Sequence, residues 1–135
     1  MTDAIPANEF VTDTMALVLR IERRRMGPAI RAIFGAAEAG QATVHVPAMV
    51  FAEILYLSER QRISMSLSDL ADYLQRYPKY QEYPMSLAVV QSAVQIADIR
   101  ELHDRLIAGT ARLLDVALMT NDPVIQASSF VKTVW

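Results

Sequence analysis

Cysteine is absent from the 135 residues, which excludes a disulfide frame, a thiolate zinc site and a catalytic thiol together. Long apolar runs are missing too: no window reaches about 18 uncharged apolar residues, the length a membrane-spanning helix needs. Near the N-terminus Asp3, Pro6 and Glu9 interrupt any pattern of a basic region followed by an apolar stretch. The expectation is a soluble, cytoplasmic protein with no membrane partner. Glycine and proline are sparse, at 4 and 6 residues, and 53% hydrophobic against 21% charged is the balance of an ordinary globular chain, so fibrous and disordered classes drop out. Neither sign of charge dominates. A net charge of −2 gives no global attraction to nucleic acid. The one dense basic stretch, Arg20, Arg23, Arg24 and Arg25 with Arg31 following, reads either as a solvated helix face or turn or as a local phosphate-holding patch.

What is present fits one compact domain over residues 1–135. Phe10 to Thr12 is a short strand, followed by a helical apolar face over Met15 to Ile21. Gly27-Pro28 breaks the pattern, and Ala29 to Ala39 is a second helix closed by Gly40. Thr43 to Val46 is a second, β-branched strand, and Pro47 leads into a helix running to about Arg62. Ser68 opens another helix with Leu70, Tyr73 and Leu74 on one face. Pro78 and Pro84 bracket a polar loop, Tyr77 to Tyr83. The apolar segment Ser86 to Ile99 either begins as a strand at Met85 to Val89 or is helical throughout, since periodicity alone does not separate the two. Asp104 begins a helix through Leu106, Ile107, Ala111, Leu113 and Leu114. Val116 to Thr120 is a third clear strand, Asn121-Asp122-Pro123 a turn that starts a short helix, and Val131 to Trp135 a last strand. Strands alternating with helices predict an α/β fold, a mostly parallel central sheet joined by right-handed crossovers and covered by helices on both faces.

Four carboxylates stand where an apolar run stops or a polar side chain is unwelcome: Asp13, Glu53, Asp104 and Asp122. Glu53 is the most informative, because Val50, Phe51, Ala52, Ile54, Leu55, Tyr56 and Leu57 surround it and Met49, Val50, Tyr56 and Leu57 share its helical face. A carboxylate buried there requires a partner. In open parallel sheets the functional crevice lies beyond the carboxyl ends of the strands. Asp13 and Asp122 each directly follow a strand, Glu53 lies within two turns of a helix that follows another, and Asp104 opens the helix feeding the Val116 strand. All four can therefore converge on one edge. Clustered carboxylates repel, so either their pKa values rise or a divalent cation neutralises them. With oxygen ligands only, and His45 and His103 as the sole histidines, the ion expected is hard, Mg²⁺ or Mn²⁺, of the kind that activates water against a phosphodiester.

Each acid also has a purely structural reading. Asp122 before Pro123 is an N-cap pattern, Asp104 a helix-start charge, and Asp13 between two threonines a turn or cap residue. His103 beside Asp104 reads as a capping or surface histidine before it reads as a general base. Thr120 and Asn121 are hydroxyl and amide groups placed to hydrogen-bond a metal water or a phosphate, or simply to build the turn.

Taken together these residues resemble the PIN-domain family, especially its VapC-type toxin members from toxin–antitoxin pairs. Val11-Thr12-Asp13-Thr14-Met15-Ala16-Leu17 is similar to the family's first strand and acidic signature. Pro47 through Leu55 is similar to the segment carrying its central glutamate. Leu102 through Ala111 and Leu118 through Asp122 resemble its third and fourth acidic segments. The resemblance implies a magnesium- or manganese-dependent endoribonuclease of PIN-like fold, with Asp13, Glu53, Asp104 and Asp122 at the metal and Thr120 as the hydroxyl residue before the last acid. It also implies a homodimer, an RNA substrate, and an antitoxin whose tail occupies the acidic groove. Met15 stands where many relatives carry a serine that supports the metal site. Arg20, Arg23 to Arg25 and Arg105 are the expected RNA backbone contacts. Two alternatives follow from the same residues. A phosphate-accepting receiver-like module needs an acidic pair after the first strand, where this chain offers only Asp13. A degenerate, non-catalytic PIN domain would act as an RNA- or protein-binding module.

Overall fold

The computed structural model describes residues 8–135; Asp3 and Pro6, on which the expected lack of a leader partly rests, lie outside them. Strands β1 (Glu9–Thr12), β2 (Thr43–Pro47), β3 (Tyr80–Tyr83), β4 (Ala117–Met119) and β5 (Thr133–Val134) form one sheet in the order β3-β2-β1-β4-β5. Every pairing is parallel. Val11 and Thr12 are both fully buried although they point to opposite faces of β1, and Leu118 and Met119 repeat this in β4. Burial on both faces is the mark of a parallel sheet covered by helices on each side.

Helices α1 (Thr14–Ile21) and α2 (Pro28–Glu38) connect β1 to β2, α3 (Ala48–Glu59) and α4 (Leu67–Arg76) connect β2 to β3, and α5 (Leu87–Val94) and α6 (Leu102–Leu114) connect β3 to β4. The one-turn α7 (Pro123–Gln126) precedes β5. Local chemistry sets most boundaries. Pro28 occupies the first turn of α2, where its missing N–H costs nothing. Ser66 and Asp69 form a reciprocal capping box on α4. Gly40 supplies the positive φ of 80° that ends the α2 connection.

Two expectations need correction. The polar loop at Tyr77 to Tyr83 contains β3, an edge strand in register with β2 from Val44↔Tyr80 to Pro47↔Tyr83. Its inward residue Tyr80 is 3% exposed and stacks on Phe34 with centroids 6.0 Å apart, whereas Gln81 and Glu82 face solvent. A short edge strand with polar outward residues looks like a loop in sequence, because only one side chain per pair is buried. The ambiguity at Ser86 to Ile99 resolves as a helix shorter than the segment: Ser86 accepts from the Val89 N–H and caps α5, which runs from Leu87 and ends at Val94. α6 likewise starts two residues before Asp104, capped by the Glu101 side chain.

Strand order reverses at β1, whose neighbours are β2 on one side and β4 on the other. A crevice opens at the carboxyl ends of β1 and β4 for that reason, since their following segments leave in opposite directions.

Candidate functional site

Asp13, Glu53, Asp104 and Asp122 line one groove of about 1130 Å³ at that reversal point. They come from four separate segments: the end of β1, the middle of α3, the first turn of α6, and the turn after β4. Asp13 is tied in twice. Its N–H donates to the Met119 carbonyl at 3.2 Å, joining the ends of β1 and β4, and its Oδ1 accepts from the Ala16 N–H at 2.8 Å, capping α1. Asp122 Oδ1 accepts from the N–H groups of Val124 and Ile125, at 2.8 and 3.4 Å, and caps α7. The capping reading of these two aspartates is therefore correct and does not compete with a place in the groove, because each cap engages one carboxylate oxygen and leaves the other.

Glu53 is held differently. The Thr14 hydroxyl donates to its Oε1, and His103 Nδ1 lies 3.5 Å from its Oε2. The expected partner for a carboxylate on an apolar helical face is thus a hydroxyl from α1 and an imidazole from α6. Only Val50 of that face is in the core. Met49, Ala52, Glu53, Tyr56 and Leu57 line the groove, so the apolar stripe read as buried forms a wall open to solvent.

Thr120 is fully buried. Its Oγ1 accepts from the Asp122 N–H at 3.1 Å, and its hydroxyl is near enough to the Asp13 carboxyl to pull that group's pKa down.

Electrostatics agree with the convergence. Burial pushes the Asp13 carboxyl up to about 6, against the pull of hydrogen bonds from Thr120 and the Ala16 N–H, with Glu53 and Asp122 adding repulsion. Asp104 also rises to about 6, first through burial and then through the charges of Glu101, Asp122, Glu53 and Asp13. These are carboxylates that feel one another. As they stand, however, no three Asp, Glu or His side chains among the described residues are close enough to enclose a metal ion. The donor set still suits a hard divalent ion, because Mg²⁺ keeps several waters and takes few direct carboxylates.

The expected RNA-contacting arginines are dispersed. Arg20 is committed to Glu38, with Nη2 2.6 Å from Oε1 and Nε 2.9 Å from Oε2. Arg23 to Arg25 are exposed beyond the far end of α1 from Asp13, and Arg105 is absent from the groove's lining. Three groove residues carry no functional signal of their own in the sequence: Thr14, the wall residue Ile107, and Tyr56, marked only by its i+3 spacing from Glu53. A second cavity, of about 690 Å³, lies between α5, α6 and Ser129 to Lys132. Its charges are already spent, with Lys132 3.0 Å from Asp115 and Arg112 donating to Gln95.

The PIN domain profile matches residues 10–130. Among solved structures the chain is similar to one from VapBC2 of Rickettsia felis bound to a DNA fragment from their promoter, with TM-score 0.72, 18% identity, and 94% of this chain and 98% of that one covered. It is also similar to a chain of DNA-bound VapBC from Salmonella typhimurium, with TM-score 0.69, 16% identity and 93% and 96% covered. A chain of FitAcB from Neisseria gonorrhoeae gives TM-score 0.65, 17% identity and 93% and 96% covered. At these identities the likeness speaks to the fold. No protein of curated function matches.

Proposed function

The chain belongs to the PIN-domain family, and on that premise we propose that it is a metal-dependent endoribonuclease, the toxin of a type II toxin–antitoxin pair, working in the cytoplasm as a homodimer. The observation that carries this reading is the convergence of four carboxylates from four segments on one groove, two of them with pKa values raised by burial and mutual repulsion. Asp13, Glu53, Asp104 and Asp122 would hold Mg²⁺ or Mn²⁺, directly or through water. What the ion supplies is activation of the attacking water and neutralisation of charge on the leaving oxygen. The protein's own part is positioning: Thr14 orients Glu53, Thr120 holds the Asp122 backbone, and the caps on α1 and α7 lock two of the carboxylates. An antitoxin partner is supported by the structural neighbours, which include a toxin–antitoxin complex from Klebsiella pneumoniae.

RNA cleavage by the purified chain with Mg²⁺, Mn²⁺ or EDTA, beside Asp13→Asn and Glu53→Gln, tests the assignment. Cleavage lost in EDTA and in both variants is expected, and unchanged activity in both variants refutes it. A particle of monomer mass at micromolar concentration would contradict the dimer. One observation favours a second reading, a non-catalytic PIN domain that binds RNA or protein: Met15 occupies the groove, 39% exposed. Under that reading RNA is bound but stays intact with either metal.

A further inference from the structure

The floor of the groove is acidic, and none of its described lining residues is Arg or Lys. A polyanion entering it meets repulsion, so attraction has to come from somewhere other than phosphate contacts with the floor. The walls supply an apolar surface in Met15, Met49, Leu57 and Ile107, and one aromatic ring, Tyr56. Tyr56 is 51% exposed, and its hydroxyl takes no hydrogen-bond partner among the described residues. Arg60, one helical turn further on, sits with its guanidinium carbon 3.9 Å from the Tyr56 ring centroid. Residues 49, 53 and 56 follow one another at helical spacing of three or four and all line the groove, so a single stripe of α3 carries the Glu53 carboxylate and the ring, with Arg60, the residue after the helix, against the ring.

We propose that Tyr56, backed by Arg60, is a base-stacking position at the groove's rim that takes an unstacked nucleobase of single-stranded RNA beside the bond to be cut. The inference rests on the nuclease reading for its substrate and adds the residue that places it. An aromatic face is attractive to any base and indifferent to the phosphate charge that the floor repels, which is why single-stranded RNA is gripped this way. The guanidinium at 3.9 Å serves twice, holding the ring by cation–π attraction and setting one positive charge beside the ring on which a base would stack. A basic peptide gains nothing from that cation, and this favours RNA as the occupant.

The test combines kinetics with a stacking signal. Tyr56→Ala is expected to raise KM for single-stranded RNA by about tenfold while kcat stays within about twofold, and Tyr56→Phe and Tyr56→Trp are expected to restore KM. Arg60→Ala should cost less, about threefold. In a cleavage-silenced Asp13→Asn background, the fluorescence difference between Tyr56→Trp and its parent, whose one tryptophan is Trp135, should be quenched by an RNA of about eight nucleotides and not by an abasic ribose-phosphate chain of that length. If Tyr56→Ala cleaves like the parent, stacking is overturned while the nuclease stands. Stacking is equally overturned if Tyr56→Ala loosens only a protein inhibitor. If nothing is cleaved but the base-dependent quench appears, stacking stands and the nuclease falls; if RNA is neither bound nor cut, both fall.

Discussion

At Asp13 one carboxylate oxygen caps α1 through the Ala16 N–H. Glu53 has no such cap, and its orientation depends on the Thr14 hydroxyl. Replacing Thr14 with Val removes that donor without emptying the site. The loss of a hydrogen bond to a charged group, about 1.5–3 kcal/mol, should appear as a cleavage rate lowered by about one to two orders of magnitude, read in a Mg²⁺ titration where the half-maximal concentration also rises. That these four acids would share one groove was legible in the sequence, since Glu53 interrupts an apolar run, Asp13 and Asp122 follow strands and Asp104 opens a helix. Thr14 was not, because a threonine at the first turn of a helix has an ordinary explanation and its contact with Glu53 spans 39 positions.

Among the elements, α1, α2, α4 and β3 are joined by one polar knot. Glu38 accepts from Arg20, Tyr73 and Tyr80, the last at 2.6 Å. Burial opposes its ionisation, but these donors outweigh burial and hold its carboxyl below the usual range, while burial and the Glu38 carboxylate push Tyr73 up to about 12. The knot sits at the start of β3, level with Val44, at the opposite edge of the sheet from the acids. Glu38→Ala strands a half-buried guanidinium and two phenols, so a stability loss of about 3 kcal/mol is expected in urea unfolding, with kcat of the folded fraction unchanged. A second contact of this scale is Gly109 in α6, where a Cβ would lie 3.0 Å from the Ala93 backbone nitrogen and 3.1 Å from its Cα. Gly109→Ala gains up to about 1 kcal/mol in helix propensity and loses about 1–3 kcal/mol by wedging α5 from α6, so the net expectation is a lower melting temperature. The helices were legible from caps and periodicity. β3 was not, because its pattern holds one buried tyrosine between polar residues, and its pairing with β2 is formed by backbone groups that carry no sequence signature.

For the whole molecule the acidic groove links fold stability to pH and to metal. Asp13 and Asp104 titrate near 6 when folded, above their ordinary value of 3.8, so the folded state binds more protons than the unfolded chain between those values. Their contribution is favourable below about pH 4 and is lost as the pH rises through about 6. Without divalent ions the melting temperature contributed by these groups should therefore fall from about pH 5 to about pH 7.5, and Asp13→Asn should flatten that slope. Mg²⁺, by relieving the repulsion, should raise the melting temperature more at the higher pH than at the lower one. An equal effect of Mg²⁺ at both values would count against carboxylate ligation. No helix among the described residues is long and apolar enough to cross a membrane.

The linear chain already determined the class of fold and pointed to four acids that line one groove, because alternation of β-branched runs with capped helices, a charge in an apolar run and acids at strand ends and helix starts are properties of neighbours along the chain. Only the tertiary structure decided that the stripe around Glu53 is a groove wall rather than core, that Arg20 belongs to Glu38, and that Tyr56 lines the groove half exposed. Those outcomes depend on which segments the fold brings together, α3 against α1 and α6 at the reversal point and α1 against α2 away from it, and contacts between separate segments leave no pattern along the chain.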